Sequence, residues 1–314
     1  MFTQTHTPFL KWAGGKRWLA THLAPIIRDI LNETNGVYYE PFLGAGSMYF
    51  GLAPQKSVLS DLNKELIETY VQVRDQWQDV ENVMRKWEVT KDNFYKIRAS
   101  RPRSQVRKAA RFIWLNRTCY GGLYRVNQKN EFNVPYGGGR TPDLLYQNET
   151  LRNCSDALKG KPYTDRSVEL VVSDFEQMMK MAGKGDVIYC DPTYSCVDRS
   201  NFDRYGAAIF DWSGQERLAD ASMQALERGA LVIVSNGYSE EIGNLYPVDC
   251  GMRLSRKKTI GNYALSDRKH MEYLFVMDPM SRSELWCSCA LKCDGKERLS
   301  QKNKVHSDWC VLNI

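Results

Sequence analysis

No apolar run in this 314-residue chain approaches the ~20 residues that a bilayer-spanning helix needs. A signal peptide is missing too. The first charges, Lys11, Lys16 and Arg17, lie inside the opening segment, and no apolar h-region follows them. Repeats and low-complexity stretches are absent, which leaves a folded domain as the expectation. A full G-x-G-x-x-G is lacking, and no Walker lysine follows Gly46, so this loop suits a nucleoside better than a pyrophosphate or triphosphate. Nine cysteines, an odd number without a secretion signal, point to a reducing cytoplasmic home rather than a disulfide framework. The length suits one large α/β domain carrying an insertion.

What is present begins with Val187-Ile188-Tyr189-Cys190-Asp191-Pro192-Thr193-Tyr194. Its apolar start is the pattern of a buried parallel strand. Asp191 then falls at the strand's carboxyl end, where open α/β sheets place ligands. Pro192 has no N–H to give, so the ladder stops and its carbonyl is free to point elsewhere. A carboxylate oxygen and a carbonyl, with the Tyr194 ring beside them, suit an exocyclic amine on a flat ring, such as a nucleobase. Alone, the segment equally fits a strand ending in a polar turn.

A second constellation lies upstream. Val37–Glu40 reads as a strand, Pro41–Ser47 as a tight glycine turn, and Met48 onward as a helix. Gly44 and Gly46 let backbone approach a ligand at the helix start. The next strand, Ser57–Asp61, ends in an acid placed to accept hydrogen bonds from ribose hydroxyls. A lone G-x-G is only a strand-to-helix turn; with Asp61 in register it reads as a nucleoside site.

Charge is the third signal. Between Lys96 and Arg140 there are eleven basic residues and one acid, Glu131, so this stretch carries +10 while the whole chain carries +6. Tyr120, Tyr124, Phe132 and Tyr136 interleave the charges. A solvated basic face is the plain alternative. Ten surplus charges between two halves of a nucleoside-binding sheet instead point to a polyanion.

Periodicity supplies the frame. Trp18–Ile30 is amphipathic, and residues 64–118 read as mostly helical, with Leu66, Tyr70, Val73, Trp77 and Val80 on one face. Residues 119–140 carry glycine pairs around short β-prone pieces, consistent with a hairpin or loop. Val168–Ser173, Leu231–Asn236 and Glu272–Met277 read as strands. Ser213–Glu227 reads as a helix with Ser213 a candidate N-cap.

Taken in order, these motifs resemble the Dam-type (D12 class, alpha-group) DNA adenine-N6 methyltransferases. The resemblance rests on K-W-A-G-G-K at Lys11, E-P-F-x-G-A-G-S at Glu40, D-x-N at Asp61 and D-P-x-Y at Asp191. Leu115-Asn116-Arg117, Tyr120–Arg125 and Glu131–Gly137 add to it, and it runs from about Pro8 to Met277. It implies a Rossmann-like, S-adenosylmethionine-dependent sheet with an inserted helical and hairpin DNA-recognition domain. The catalytic domain would comprise residues 1–63 and 146–279, and the target-recognition domain residues 64–145. It implies S-adenosyl-L-methionine as cofactor, double-stranded DNA as partner, and methylation of a flipped adenine at N6, in a GATC-type site because Leu123 and Arg125 are kept.

By the same resemblance Asp191, Pro192 and Tyr194 are catalytic. Lys11, Trp12, Lys16, Phe42, Gly44, Ala45, Gly46, Ser47, Asp61, Asp174, Phe175 and Asp191 stand on the cofactor side. Lys11, Tyr120, Leu123, Arg125 and Pro135 fall on positions used against DNA bases and the gap left by flipping. Arg103, Lys108, Arg117 and Asn133 join them as DNA-side residues, Arg103 and Lys108 in a run suited to phosphates. Thr193 replaces the usual family proline, and Gly121 stands where some members carry an asparagine.

The segment 280–314 lies beyond the resemblance. Its C-x-C-x3-C-x12-H-x3-C pattern (Cys287, Cys289, Cys293, His306, Cys310) has a first step tighter than the usual zinc knuckle. It is read as a flexible, reduced, cysteine-bearing tail with no metal. The expectation for the whole is a cytoplasmic, nucleoid-associated enzyme of bacterial or phage origin, with no membrane and no obligate protein partner. Two rivals remain: an amino-methyltransferase acting on RNA or on cytosine N4, and a non-catalytic DNA-binding homologue. An intact glycine loop beside Asp191 and Tyr194 argues against the second.

Overall fold

A single mixed sheet organises the chain in the computed structural model, which describes residues 6–12, 15–138, 146, 149–159, 167–192, 210–247, 250–256, 270–282, 286 and 310–313. Its strands are β1 (Tyr38–Glu40), β2 (Lys56–Asp61), β3 (Ser167–Val172), β4 (Val187–Cys190), β5 (Leu231–Gly237), β6 (Gly251–Arg256), β7 (His270–Met277) and β8 (Cys310–Asn313). They lie in the order β3-β2-β1-β4-β5-β7-β6-β8. The strands from β3 to β5 run parallel, β7 is antiparallel to β5 and to β6, and β8 runs parallel to β6 at the edge. This is the expected Rossmann-like α/β architecture.

Nine helices accompany the sheet among the described residues: α1 (Arg17–Thr34), α2 (Ser47–Leu52), α3 (Lys64–Arg85), α4 (Lys91–Ala99), α5 (Gln105–Thr118), α6 (Thr150–Lys159), α7 (Phe175–Met181), α8 (Trp212–Glu227) and α9 (Glu240–Gly243). Both sheet faces are covered, as the near-continuous apolar strands require. Alternation along each strand sends Tyr38, Leu59, Tyr189, Ile233 and Leu274 into one core with α1, α2 and α3. Tyr39, Val58, Ile188, Val232 and Phe275 enter a second core with α7 and α8.

Capping explains where the helices of the basic insertion start. Asn63, Thr90 and Ser104 each accept a backbone N–H in the first turn of α3, α4 and α5. Of the α3 face expected to be apolar, Leu66, Tyr70, Val73 and Val80 are buried and Trp77 is half-buried, and the helix packs on α5 and α6. After α5 a single 3₁₀ turn, Tyr120–Gly122, precedes two isolated bridges, Cys119 to Tyr136 and Val126 to Phe132. A short hairpin results.

Two expectations need correction. The N-cap of α8 is Asp211, not Ser213: Asp211 Oδ1 accepts the Gly214 N–H at 2.9 Å, and the Ser213 hydroxyl itself donates to that oxygen. A carboxylate outcompetes a hydroxyl at a positive helix start. The tail is also not simply an appendage. Trp286 is buried and donates to Asp278, and Cys310–Asn313 forms β8. Unpaired edge groups of β6 gain partners there. Cys287, Cys289, Cys293 and His306 lie outside the described residues.

Candidate active site

The strand order reverses between β1 and β4, both parallel and adjacent, so the helices after them leave on opposite faces and open a crevice at the strands' carboxyl ends. A cavity of about 1010 Å³ occupies this place. Glu40 closes β1, Asp61 closes β2 and Asp191 follows β4, and all three line it.

The glycine turn forms one wall. Gly44 and Gly46 have φ of +47° and +65°, a region that side chains disfavour. A Cβ on Gly44 would fall 3.0 Å from the Trp12 ring, so the missing side chain lets the indole lie on the turn. Asp61 braces the same turn: Oδ2 accepts the Gly44 N–H at 3.1 Å, and Oδ1 accepts the Asn63 N–H at 2.9 Å. Burial raises the Asp61 carboxyl, and these backbone N–H groups pull it back down. Gly46 does not line the cavity; it packs against Tyr70, whose hydroxyl donates to the Gly44 carbonyl at 3.0 Å.

The opposite wall is aromatic. Phe42 and Phe175 stack with ring centres 5.3 Å apart, and Phe210 meets both rings. The Arg217 guanidinium lies 4.9 Å over Phe175 and forms ion pairs with Asp174 (2.9 Å) and Glu176 (3.0 Å). Asp174 also caps α7 through the Glu176 N–H. Flat apolar faces bounded by acids and a bent glycine turn fit a purine nucleoside.

Asp191 sits among three elements. Lys16 Nζ, just before α1, is 3.0 Å from Asp191 Oδ1 and 3.5 Å from Glu272 of β7. Lys16 and Glu272 are buried, while the Asp191 side chain keeps about 24% of its surface. Ser235 of β5 donates to Oδ1 at 2.8 Å, and its hydroxyl lies 3.2 Å from the Tyr189 hydroxyl. Burial raises the Asp191 carboxyl, with Lys16 and Ser235 opposing it. Glu40, fully buried, is pushed up to about 8 by burial, although Tyr38 Oη and the Tyr49 N–H both donate to it.

The structure gathers most expected cofactor-side residues. Trp12, Lys16, Phe42, Gly44, Ala45, Ser47, Asp61, Asp174, Phe175 and Asp191 line the cavity together with Pro192. Lys11 does not. Its backbone N–H and carbonyl are both held by the buried Asn116 amide, which also donates to the Gly122 carbonyl. Thr193 and Tyr194 lie outside the described residues.

The expected DNA-side residues occupy the insertion. Tyr120, Leu123, Arg103 and Pro135 are exposed; Lys108, Arg117, Arg125 and Asn133 are half-buried. Arg125 Nε donates to Asn133 Oδ1 at 2.8 Å across the hairpin. Part of the positive charge is already paired within the chain, since Arg101 meets Glu131 and Arg111 meets Glu65.

Three residues escaped sequence reasoning. Glu272 reaches Lys16 across 256 positions, and its only signal was a lone acid inside an apolar strand. Ser235 gave none beyond ending a strand. Asn116 was legible only as the centre of Leu115-Asn116-Arg117. Tyr124, Val126 and Asn130, from the hairpin, also line the cavity.

Comparison with known sequences adds identity to this geometry. The D12 class N6 adenine-specific DNA methyltransferase family matches residues 12–260. The chain is 35% identical over 248 residues to the type II methyltransferase M1.LlaDCHI of Lactococcus lactis subsp. cremoris, covering 76% of this chain and 84% of that one. It is 30% identical over 276 residues to a DNA adenine methylase of Serratia marcescens, covering 85% and 96%. A DNA adenine methylase of Escherichia coli K12 is 30% identical over 237 residues, 73% of this chain and 80% of that one.

Proposed function

This chain belongs to the D12 class N6 adenine-specific DNA methyltransferases, and on that premise we propose that its cavity holds S-adenosyl-L-methionine beside a flipped adenine from a GATC-type duplex site. The supporting observation is one of placement: Asp191, an acceptor for an exocyclic amine, opens onto the same cavity as the Gly44 turn and Asp61.

Trp12, the Phe42–Ser47 turn, Asp61, Asp174 and Phe175 would hold the cofactor, with the Gly44 cradle and acidic strand ends matching a nucleoside. When bound, it supplies an electrophilic methyl on a sulfonium. Adenine N6 is a poor nucleophile because its lone pair is delocalised into the ring. Asp191 and the Pro192 carbonyl accept hydrogen bonds from its two N–H groups and draw the nitrogen toward tetrahedral geometry. Asp191 then stabilises the positive charge that develops on N6. Holding N6 in line is worth ~7–11 kcal/mol of barrier in favourable cases. Tyr194 would stack on the extruded ring, the kind of aromatic contact by which a flipped base is held.

Residues 64–145 form the target-recognition unit in this reading, inserted into a catalytic domain of 1–63 and 146–279. Arg125 reads guanine O6 and N7, while Arg103 and Lys108 hold phosphates. Lys11, Tyr120, Leu123 and Pro135 meet bases and the vacated gap, with Arg117 and Asn133 in support. No helix among the described residues is long and apolar enough to cross a membrane; we place the enzyme in the cytoplasm, on the nucleoid.

Incorporation of labelled methyl into GATC duplex, duplex lacking GATC, and RNA tests the reading. Transfer to adenine N6 of the GATC duplex supports it. Transfer to RNA or to cytosine instead would replace it with the rival amino-methyltransferase.

A further inference from the structure

Tyr124 stands between two sites. It is half-buried and belongs to the hairpin, yet it lines the cofactor cavity with Val126 and Asn130. Its ring stacks on Trp12 with centres 5.4 Å apart and planes 15° from parallel. On the insertion side it meets Phe112 at 5.2 Å and Phe132 at 6.0 Å. Burial pushes its hydroxyl up to about 12, with the Glu65 carboxyl adding to the rise. The next residue, Arg125, turns to Asn133 across the hairpin. Tyr124 thus completes the cofactor wall while Asn133 holds the guanidinium of its neighbour, Arg125.

We infer that Tyr124 is a positioning residue that ties occupancy of the cofactor cavity to sequence discrimination by Arg125. The inference rests on the cofactor and DNA reading above and adds a coupling between them. A ligand in the cavity touches a wall that the hairpin supplies, so it binds best when the hairpin is docked on Trp12. Duplex contacts made by Arg125 favour the same docked state. Two ligands that select one state raise each other's affinity by the same factor. The stack is the contact through which that factor passes, because Trp12 lies on the Gly44 turn and Tyr124 on the hairpin.

The test measures duplex binding with and without S-adenosylhomocysteine, which carries no methyl to transfer. In the wild-type protein it should raise the preference for the best-methylated duplex over a single-base variant by about tenfold, and that duplex should tighten S-adenosylhomocysteine equally. Tyr124→Leu removes part of the cavity wall and should weaken S-adenosylhomocysteine on its own, yet it should also bring both coupling factors, which are ratios of affinities, below about twofold. Tyr124→Phe, which keeps the ring, should restore most of the gain. A tenfold gain retained in Tyr124→Leu, or none in a wild-type protein that binds both ligands, overturns the inference and leaves the proposed function standing. A wild-type protein that binds neither ligand removes the proposed function and the coupling together. Hydrogen exchange of wild-type residues 119–138 gives a readout free of any folding defect. Slower exchange with S-adenosylhomocysteine is expected, and unchanged exchange contradicts the coupling.

Discussion

Lys16 Nζ and Asp191 meet at 3.0 Å, and the contact falls on Oδ1, the same carboxylate oxygen that takes the Ser235 hydroxyl. Two donors from separate elements therefore anchor one oxygen of this carboxylate. Lys16 also reaches Glu272, so the cation is shared by two carboxylates.

This sharing makes Lys16 a stability element as well as a site residue. Lys16→Met leaves the buried Glu272 carboxylate without its cation, and losing one partner of a buried pair costs ~3–5 kcal/mol. Denaturant unfolding of the variant should show a loss of that size, together with a large drop in methyl transfer. A loss under ~0.5 kcal/mol, the range of ordinary surface changes, would mean that water already compensates Glu272.

Glu40 gives a pH signature. Its carboxyl rises from 4.5 to about 8 in the fold because burial disfavours the charge. The native state therefore holds a proton that the unfolded chain releases. The resulting stability is full below pH 4.5 and is lost as pH rises through about 8. Between those limits the slope from this group reaches ~1.4 kcal/mol per pH unit. Glu40→Gln, which stays neutral, should flatten the wild-type decline between pH 5 and pH 8 in urea titrations. An unchanged slope would show that Glu40 is ionised in the native protein.

Asp61 should prove a double loss. A charged acceptor of hydroxyl donors is worth ~1.5–3 kcal/mol, so Asp61→Ala should weaken S-adenosylmethionine binding by at least about tenfold. It also frees the Gly44 and Asn63 N–H groups, so the melting temperature should fall as well. Calorimetry and thermal unfolding on the same variant check both. Unchanged affinity would place the ribose elsewhere.

Arg125→Ala should cost ~1–3 kcal/mol of duplex binding and relax discrimination at one base pair. Asn133→Ala should weaken the same discrimination less, because it only releases the guanidinium. Arg103→Ala should weaken all duplexes alike and flatten the salt dependence by roughly one unit of slope. Competition binding across single-base site variants at two salt concentrations separates these patterns. Equal loss on every variant would make Arg125 another phosphate contact.

Local signals carried most of the fold. Glycines before α2, apolar runs at β4 and β5, and the helical spacing from Leu66 to Val80 are properties of neighbouring residues, and they mark elements wherever the chain goes. The Ser213 cap failed for a local reason, since Asp211 two residues earlier is the better acceptor. What stayed hidden depends on distant pairing. Glu272 joins Lys16 because β7 inserts antiparallel beside β5, a topology that no short segment encodes. Asn116 and Tyr124 were visible inside motifs, but the contacts that tie them to Lys11 and Trp12 exist only after the insertion docks.

The central claim is that Asp191 acts on the amine in the transition state rather than in binding. Asp191→Ala tests it most directly, because Lys16 keeps Glu272 as an ion-pair partner and the fold is not left with a stranded cation. Single-turnover transfer of labelled methyl to adenine N6 should fall by orders of magnitude, while calorimetric affinities for S-adenosylmethionine and duplex stay within a few-fold of wild type. Near-normal turnover in this variant would contradict the account.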